Sequence, residues 1–198
     1  MANLTIPEEY KDQLVYRENP DTRTDNEILE TLSQHQLVTS EKNVWAFWDK
    51  GLSVMPSWCQ RNVVNWVRIL GPSWTVRVLD SIPDSPNYSL KYIPSDSMPE
   101  TFLKGTMDGP YKGPHAADML RGSCLYHFGG VSMDVGNILI RHLDRVCWNQ
   151  LEDPNSPFQV AVPWMYGITI ANHFVAARKG DPFIKRWYAS KSNNPDMA

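Results

Sequence analysis

The chain has 198 residues, a length that suits one domain with a sizeable core, so we expect a single main site. Its 19 Lys and Arg residues nearly balance 22 Asp and Glu residues, which argues against the strongly basic surface that binding to nucleic acid or an anionic membrane requires. The polar start, the lack of any run of roughly 20 apolar residues and three widely spaced cysteines predict a soluble, cytoplasmic chain without a signal peptide, disulfide framework or zinc site.

The first part of the sequence predicts an arm followed by a strand, a helix and a second strand. Residues 1–42 are expected to form an N-terminal arm with one weakly helical stretch, and residues 43–198 the main domain. The apolar run at 43–48 and the alternating run at 75–80 predict strands, and the apolar stripe at 57–70, which ends at a Gly-Pro pair, predicts a helix. This succession is typical of a parallel α/β sheet, whose ligands gather beyond the carboxyl ends of the strands. Three side chains at those ends are therefore well placed for a site: Trp48, Asp49 and Asp80.

The α/β pattern resumes after a loop-rich excursion between residues 81 and 114, which is rich in Pro, Ser, Gly and Asp. Such a long loop over a sheet edge is often a lid or a substrate wall. The elements predicted beyond it are a helix at 115–128, a strand at 131–140, strands at 158–164 and 168–179, and a helix from 181.

Three charged side chains, Asp118, Arg121 and Asp134, are candidates for a common pocket. Asp118 and Arg121 are three residues apart and so share one face of a predicted helix, and Asp134 lies in the middle of the next predicted strand. A bidentate Arg and a divalent cation can stabilise a diphosphate leaving group, while carboxylates bind hard cations or accept hydrogen bonds from sugar hydroxyls. Spacing alone favours the alternatives, which are a solvated ion pair between Asp118 and Arg121 and a loop-end cap at Asp134.

The segment ADMLRGSCLYHFGGVSMDVG, residues 117–136, closely resembles the core motif of the DXD-type sugar glycosyltransferases, especially the capsular-polysaccharide-synthesis family common in fungi. The shared order is a small residue, Asp, two residues, Arg, an apolar stretch with Leu and Tyr, a Gly pair and then Asp. Segments 44–51, 55–80 and 170–188 resemble the same family, so the likeness covers about residues 43–188. It implies a GT-A fold, a Rossmann-like and mostly parallel sheet flanked by helices, which binds a nucleotide sugar.

The resemblance implies a donor-binding role for four residues. Trp48 matches the strand-end Trp that stacks on the nucleotide base, although an ordinary core position is an equal alternative. Asp118 and Arg121 match the pair that orients the sugar and phosphate of the donor. Asp134 matches the first Asp of DXD, which contacts the nucleotide and a divalent cation, Mn²⁺ or Mg²⁺.

Other positions fit the family motif less well. Gly129 and Gly130 match the turn before the Asp-bearing strand, a structural role. Gly136 stands where the second acid of DXD is expected, and Asn137 could supply an amide oxygen to the metal only after a bulge, because in an extended strand it points to the other face of the sheet.

The sequence thus predicts a glycosyltransferase that moves a hexose from a nucleotide diphosphate sugar to a hydroxyl acceptor, retaining by family analogy, in polysaccharide or glycoconjugate synthesis. Family analogy also allows Golgi or membrane association. Because family members continue beyond the point where this chain stops, the fold is expected to be incomplete at its C-terminus.

The alternative is a non-catalytic remnant that at most binds a nucleotide sugar. An epimerase or dehydrogenase is disfavoured, because no GxGxxG follows the first predicted strand. Asn172 and His173 are expected to form a satisfied polar pair in the core rather than part of the site.

Overall fold

A five-stranded sheet with helices on both faces forms the centre of the computed structural model, which describes Pro7, Glu8 and residues 21–192. The strands of the described residues are β1 (Asn43–Phe47), β2 (Thr75–Leu79), β3 (Gly130–Met133), β4 (Val160–Ala161), β5 (Trp164–Met165), β6 (Thr169–Ile170) and β7 (Phe174–Ala177). The helices are α1 (Asp25–Leu32), α2 (Ser57–Leu70), α3 (Glu100–Leu103), α4 (Lys112–Phe128), α5 (Asn149–Glu152) and α6 (Pro182–Ser192), with a π-helical turn at Asp144–Trp148.

The strand order is β2-β1-β3-β7-β4, and β7 alone runs opposite to the other four strands of this sheet. β1 is parallel to both β2 and β3, whereas β7 is antiparallel to β3 and to β4. The expected α/β class is confirmed, and the sheet is mixed, because β7 lies among four strands that share one direction. As a consequence, the start of β7 lies at the same edge of the sheet as the carboxyl ends of β1, β2 and β3. β5 and β6 form a separate antiparallel hairpin.

Local signals explain helix α2, whose bounds agree with the prediction. Pro56 precedes it in an extended conformation, and Gly71 ends it with a φ of 56°, a left-handed conformation that favours glycine. Buried residues recur at helical spacing, among them Cys59, Val63 and Trp66. Trp58, which the stripe placed in the core, is instead 57% exposed at the first turn.

The two faces of the sheet carry separate cores, because successive side chains of a strand point to opposite faces. Val44 and Ala46 pack with α2, whereas Trp45 packs with α4 and α6. Helix α1 lies within the residues expected to form an arm, yet it buries Ile28 and Leu32 in the core on the α2 face. The boundary at residue 42 stays a prediction.

Three predicted strands differ from the structure, among them the run at 168–179, which is divided between β6 and β7. The strand expected at 131–140 ends at Met133, because the chain then turns, with the Asn137 N–H donating to the Asp134 carbonyl at 2.9 Å. The run at 158–164 is divided between two short strands, β4 and β5. No helix in the described part of the chain is long and apolar enough to cross a membrane.

Candidate functional site

The side chains predicted to share a pocket meet around one buried guanidinium. Arg121 donates from Nη1 to Asp118 Oδ1 at 2.5 Å, from Nη2 to Asp134 Oδ1 at 2.6 Å and from Nε to the Ser132 hydroxyl at 3.3 Å. Asn172 adds a hydrogen bond from its amide to Asp118 Oδ1 at 2.9 Å. We name these five residues the Arg121 cluster. The structure therefore brings Asp118, Arg121 and Asp134 into direct contact.

Burial differs sharply within the Arg121 cluster. The Arg121 side chain is 3% exposed, compared with 25% for Asp118 and 49% for Asp134. The guanidinium thus contacts protein groups, while the Asp134 carboxylate faces the solvent. Two carboxylates share one cation, so the three charged groups carry a net negative charge. Partial burial raises the pKa of Asp134 above its ordinary value, and the neighbouring Arg121 guanidinium offsets only part of that rise.

A turn at the end of β3 holds Asp134 at the carboxyl edge of the sheet. The Asp134 N–H donates to the carbonyl of His173 at 2.9 Å, and the Asn137 side-chain amide donates to the same carbonyl at 2.7 Å. Asn137 therefore ties the turn to the start of β7 and does not continue an extended strand toward the opposite face, as the sequence suggested. Its amide nitrogen serves the turn rather than a ligand.

Asn172 reaches the site because β7 runs antiparallel to β3. The residues that precede β7 consequently lie beside Asp134, where a parallel strand would instead have placed its end. Asn172 is exposed and bonded to Asp118, so the prediction of a satisfied core pair with His173 is wrong for Asn172. The sequence carries no local signal for the direction of β7, and sequence reasoning therefore missed this residue.

Gly129 and Gly130 lie at the opposite edge of the sheet, where β3 begins. Both have positive φ, 71° and 109°, and a Cβ on Gly130 would come within 2.3 Å of the Asn43 carbonyl oxygen. The close approach of β3 to the start of β1 thus requires glycine at this position. Their expected structural role follows from this geometry.

Aromatic side chains approach the carboxyl edge of the sheet from both faces. Trp48 is partly buried and packs against the core on the α2 face, whereas Phe47 points to the α4 face and lines the cleft beside Arg121 and Asp134. Trp58 lies on the α2 side, with its ring 3.6 Å from the position of a Cβ on Gly136. Stacking of a base on Trp48 stays a prediction, and Phe47 and Trp58 are two aromatic groups near the site that sequence reasoning missed.

Two other carboxylates near this edge serve the fold. Asp80 is buried and accepts hydrogen bonds from the Ile82 N–H at 3.0 Å and from the Ser85 hydroxyl at 2.5 Å, so it organises the loop after β2. Asp49 lies beside the first turn of α4, where a Cβ on Gly113 would be 3.7 Å from its carboxyl carbon. A carboxylate is favourable at that end of a helix.

The donor set near Asp134 fits a divalent cation only in part. The described residues include no group of three or more His, Cys, Asp and Glu side chains that could hold a metal ion. The cleft between β1, β3 and α4 has a volume of about 20 Å³, room for little more than a water molecule. Mg²⁺ is commonly bound by one or two carboxylates together with water and substrate phosphates. The residues present therefore suit a cation shared with a diphosphate rather than one enclosed by the protein.

Curated proteins similar to this chain are named glycosyltransferases. The chain is 56% identical over 94% of its length to "Probable glycosyltransferase FCK3" of Fusarium pseudograminearum, covering 47% of that protein. The chain is 45% identical over 88% of its length to "O-glycosyltransferase braB" of Annulohypoxylon truncatum and covers 42% of that protein. It is 47% identical over 83% of its length to "Glycosyltransferase afumC" of Aspergillus fumigatus and covers 44% of that protein. The chain thus spans about half the length of the curated relatives it matches.

The fold also has a counterpart among solved structures. "PaToxG Glycosyltransferase" matches with a TM-score of 0.51 and 17% sequence identity, over 87% of this chain and 72% of that one. At this identity the likeness concerns the fold alone, and it supports the α/β class. No family model matches the sequence.

Proposed function

We propose that this chain forms the nucleotide-sugar-binding part of a glycosyltransferase that moves a hexose from a nucleotide diphosphate sugar to a hydroxyl acceptor. The observation that carries the proposal is the 41–56% identity to four curated fungal glycosyltransferases over most of the chain. The Arg121 cluster supports it, because it places two carboxylates at the sheet edge where α/β folds bind their ligands. A GT-A fold and the DXD-type capsular-polysaccharide relationship belong to this proposal.

In the proposed reaction, the acceptor oxygen forms a bond to the anomeric carbon as the bond from that carbon to the diphosphate breaks. The diphosphate leaves with the bonding electron pair and takes up the hydroxyl proton, which is compatible with retention of configuration. Asp118 accepts hydrogen bonds from sugar hydroxyls, and Asp134 faces the ribose or the diphosphate. Arg121 is buried and bonded to both carboxylates. We therefore assign it the role of positioning Asp118 and Asp134, and not that of contacting the phosphates directly.

The proposal includes a divalent cation, Mn²⁺ or Mg²⁺, that the donor and Asp134 hold together. The half-exposed Asp134 carboxylate would be its protein ligand, and a bound cation would offset the negative charge of the diphosphate. Without it, the net negative Arg121 cluster would repel the donor phosphates. Donor binding should therefore depend on both Asp134 and the cation.

Calorimetric titration with UDP-glucose and GDP-mannose, with and without Mn²⁺, tests this function. We expect Mn²⁺-dependent binding of at least one donor and a loss of about tenfold or more in affinity for Asp134→Asn, equivalent to about 1.4 kcal/mol. Glu152→Gln is the matched control, because Glu152 is a partly exposed carboxylate that lies 3.8 Å from Lys42 at the opposite edge of the sheet. Its affinity should stay within about twofold of the parent.

Two results would contradict the proposal in different ways. If no nucleotide sugar binds, or if Asp134→Asn binds as well as the parent, the assigned site is wrong. If the donor binds but is neither transferred nor slowly hydrolysed with Mn²⁺ present, the alternative of a non-catalytic remnant stands. Gly136 favours that alternative, because it offers no side chain where the family motif has its second acid.

A further inference from the structure

An apolar groove lies beside the Arg121 cluster and shares Asn172 with it. It opens between β4, β7 and α6, and its volume is about 300 Å³. That volume lies at the lower end of the range of small-molecule sites, roughly 300–1,000 Å³. The residues that line it are Val160, Val162, Ile170, Ala171, Asn172, Val175, Phe183 and Trp187.

The lining of this apolar groove is hydrophobic except at two residues. Its polar side-chain groups are the amide of Asn172 and the indole N–H of Trp187. Ile170 and Phe183 stay 59% and 49% exposed, so large apolar groups line a space that is open to water. A saccharide placed there would lose the hydration of many hydroxyls and find few hydrogen-bond partners in the protein, which disfavours its binding.

Asn172 connects the apolar groove to the proposed donor site. Its side-chain amide lines the groove and donates to Asp118 Oδ1 at 2.9 Å. A ligand whose apolar body fills the groove would therefore present a hydroxyl at the Asn172 end next to the Asp118 carboxylate. Because the proposed function assigns Asp118 to the donor sugar, such a hydroxyl would lie near that sugar.

We propose that the apolar groove is the acceptor site and that the acceptor is an apolar small molecule with a hydroxyl at one end, not a glycan. That the ligand is an acceptor rests on the proposed function. That the ligand is apolar rests on the lining of the groove alone. Asn172 is then a positioning residue between the acceptor hydroxyl and Asp118.

Calorimetric titration with 2-naphthol as the probe, and with methyl α-glucopyranoside as the sugar comparison, tests the proposed ligand chemistry. The parent should bind 2-naphthol and not the glucoside. Val162→Phe fills the groove and should weaken 2-naphthol binding by about tenfold or more. Val146→Phe is the matched control, because Val146 is 47% exposed outside the groove, and it should change affinity by less than about twofold. Phe183→Ala, which removes one wall, provides a second variant that should also weaken binding.

Each other result would overturn the inference, and donor titration on the same samples shows at which step. Equal naphthol affinity in the parent and Val162→Phe, or preferential binding of the glucoside, refutes the apolar ligand while donor binding stays intact. A dimer in sedimentation that Val162→Phe dissociates would mean that a second copy covers the groove. If 2-naphthol binds in the groove but no nucleotide sugar binds to the protein, the proposed function fails, and the acceptor role fails with it.

Discussion

Replacing Arg121 with Met tests whether one guanidinium holds the two carboxylates of the Arg121 cluster together. Met has a similar length but no charge, so Asp118 and Asp134 would face each other without a cation between them. Both carboxylates bond to the same guanidinium, at 2.5 and 2.6 Å. Two unit charges that flank one guanidinium, roughly 5–6 Å apart, repel by roughly 3 kcal/mol at an effective dielectric constant of 20. Their partial exposure reduces this repulsion, but the lost hydrogen bonds add to it, so we expect a total loss of about 3 kcal/mol at pH 7.

The pH dependence of that loss separates repulsion from ordinary packing. In the parent, burial raises the pKa of Asp134 and Arg121 lowers it, so without Arg121 the pKa rises further. The carboxyl then takes up a proton on mild acidification. The repulsion is present above the raised pKa and is lost as the pH falls through it. The deficit relative to the parent should therefore shrink by about 1–2 kcal/mol between pH 7 and pH 4.5.

Urea unfolding at both pH values, followed by circular dichroism, measures the effect. Arg77→Met is the matched control, because Arg77 is also buried but bonds to Asn43 Oδ1 and to the carbonyl oxygens of Gln36 and Leu37 rather than to carboxylates. Its deficit should change little with pH. If the deficits of the Arg121 and Arg77 variants vary equally with pH, the carboxylates do not depend on Arg121, and the reasoning is refuted.

Two further predictions concern the edge of the sheet opposite the site. Gly130→Ala should lower the free energy of unfolding by about 3 kcal/mol or more in urea titrations, because its Cβ would lie 2.3 Å from the Asn43 carbonyl oxygen. Gly105→Ala is the control: no atom lies within 4 Å of its Cβ position, so the free energy of unfolding should fall by only about 1 kcal/mol. Glu41→Gln should lose about 1 kcal/mol at pH 7, because the Arg178 hydrogen bond lowers the pKa of Glu41. Because the pKa of Glu41 is lower in the folded than in the unfolded protein, its carboxylate stabilises the fold above the unfolded-state pKa, and this stabilisation is lost as the pH falls through the folded-state pKa. The melting temperatures of parent and variant should therefore converge on acidification below about pH 4.5. A difference that stays constant with pH would contradict this account.

Local signals in the sequence determined much of the scaffold and part of the site. The helix at 57–70 has the predicted bounds, because its start, its apolar period and its terminating glycine all lie within a few residues of one another. Asp118 and Arg121 share a helix face for the same reason, since three residues separate them on any α-helix. The sequence also placed Asp134 in one pocket with this pair, although it put the residue in the middle of a strand and not at the strand's end.

Only the tertiary structure decided how this edge is completed. The reversal of β7 brings Asn172 to Asp118, 54 residues away along the chain, and the turn after Met133 aims Asp134 outward while Arg121 stays buried. The apolar groove likewise combines strands and a helix from residues 160–187. These arrangements depend on strand direction and on packing between distant segments, which follow from the free energy of the whole fold and leave no local pattern in the sequence.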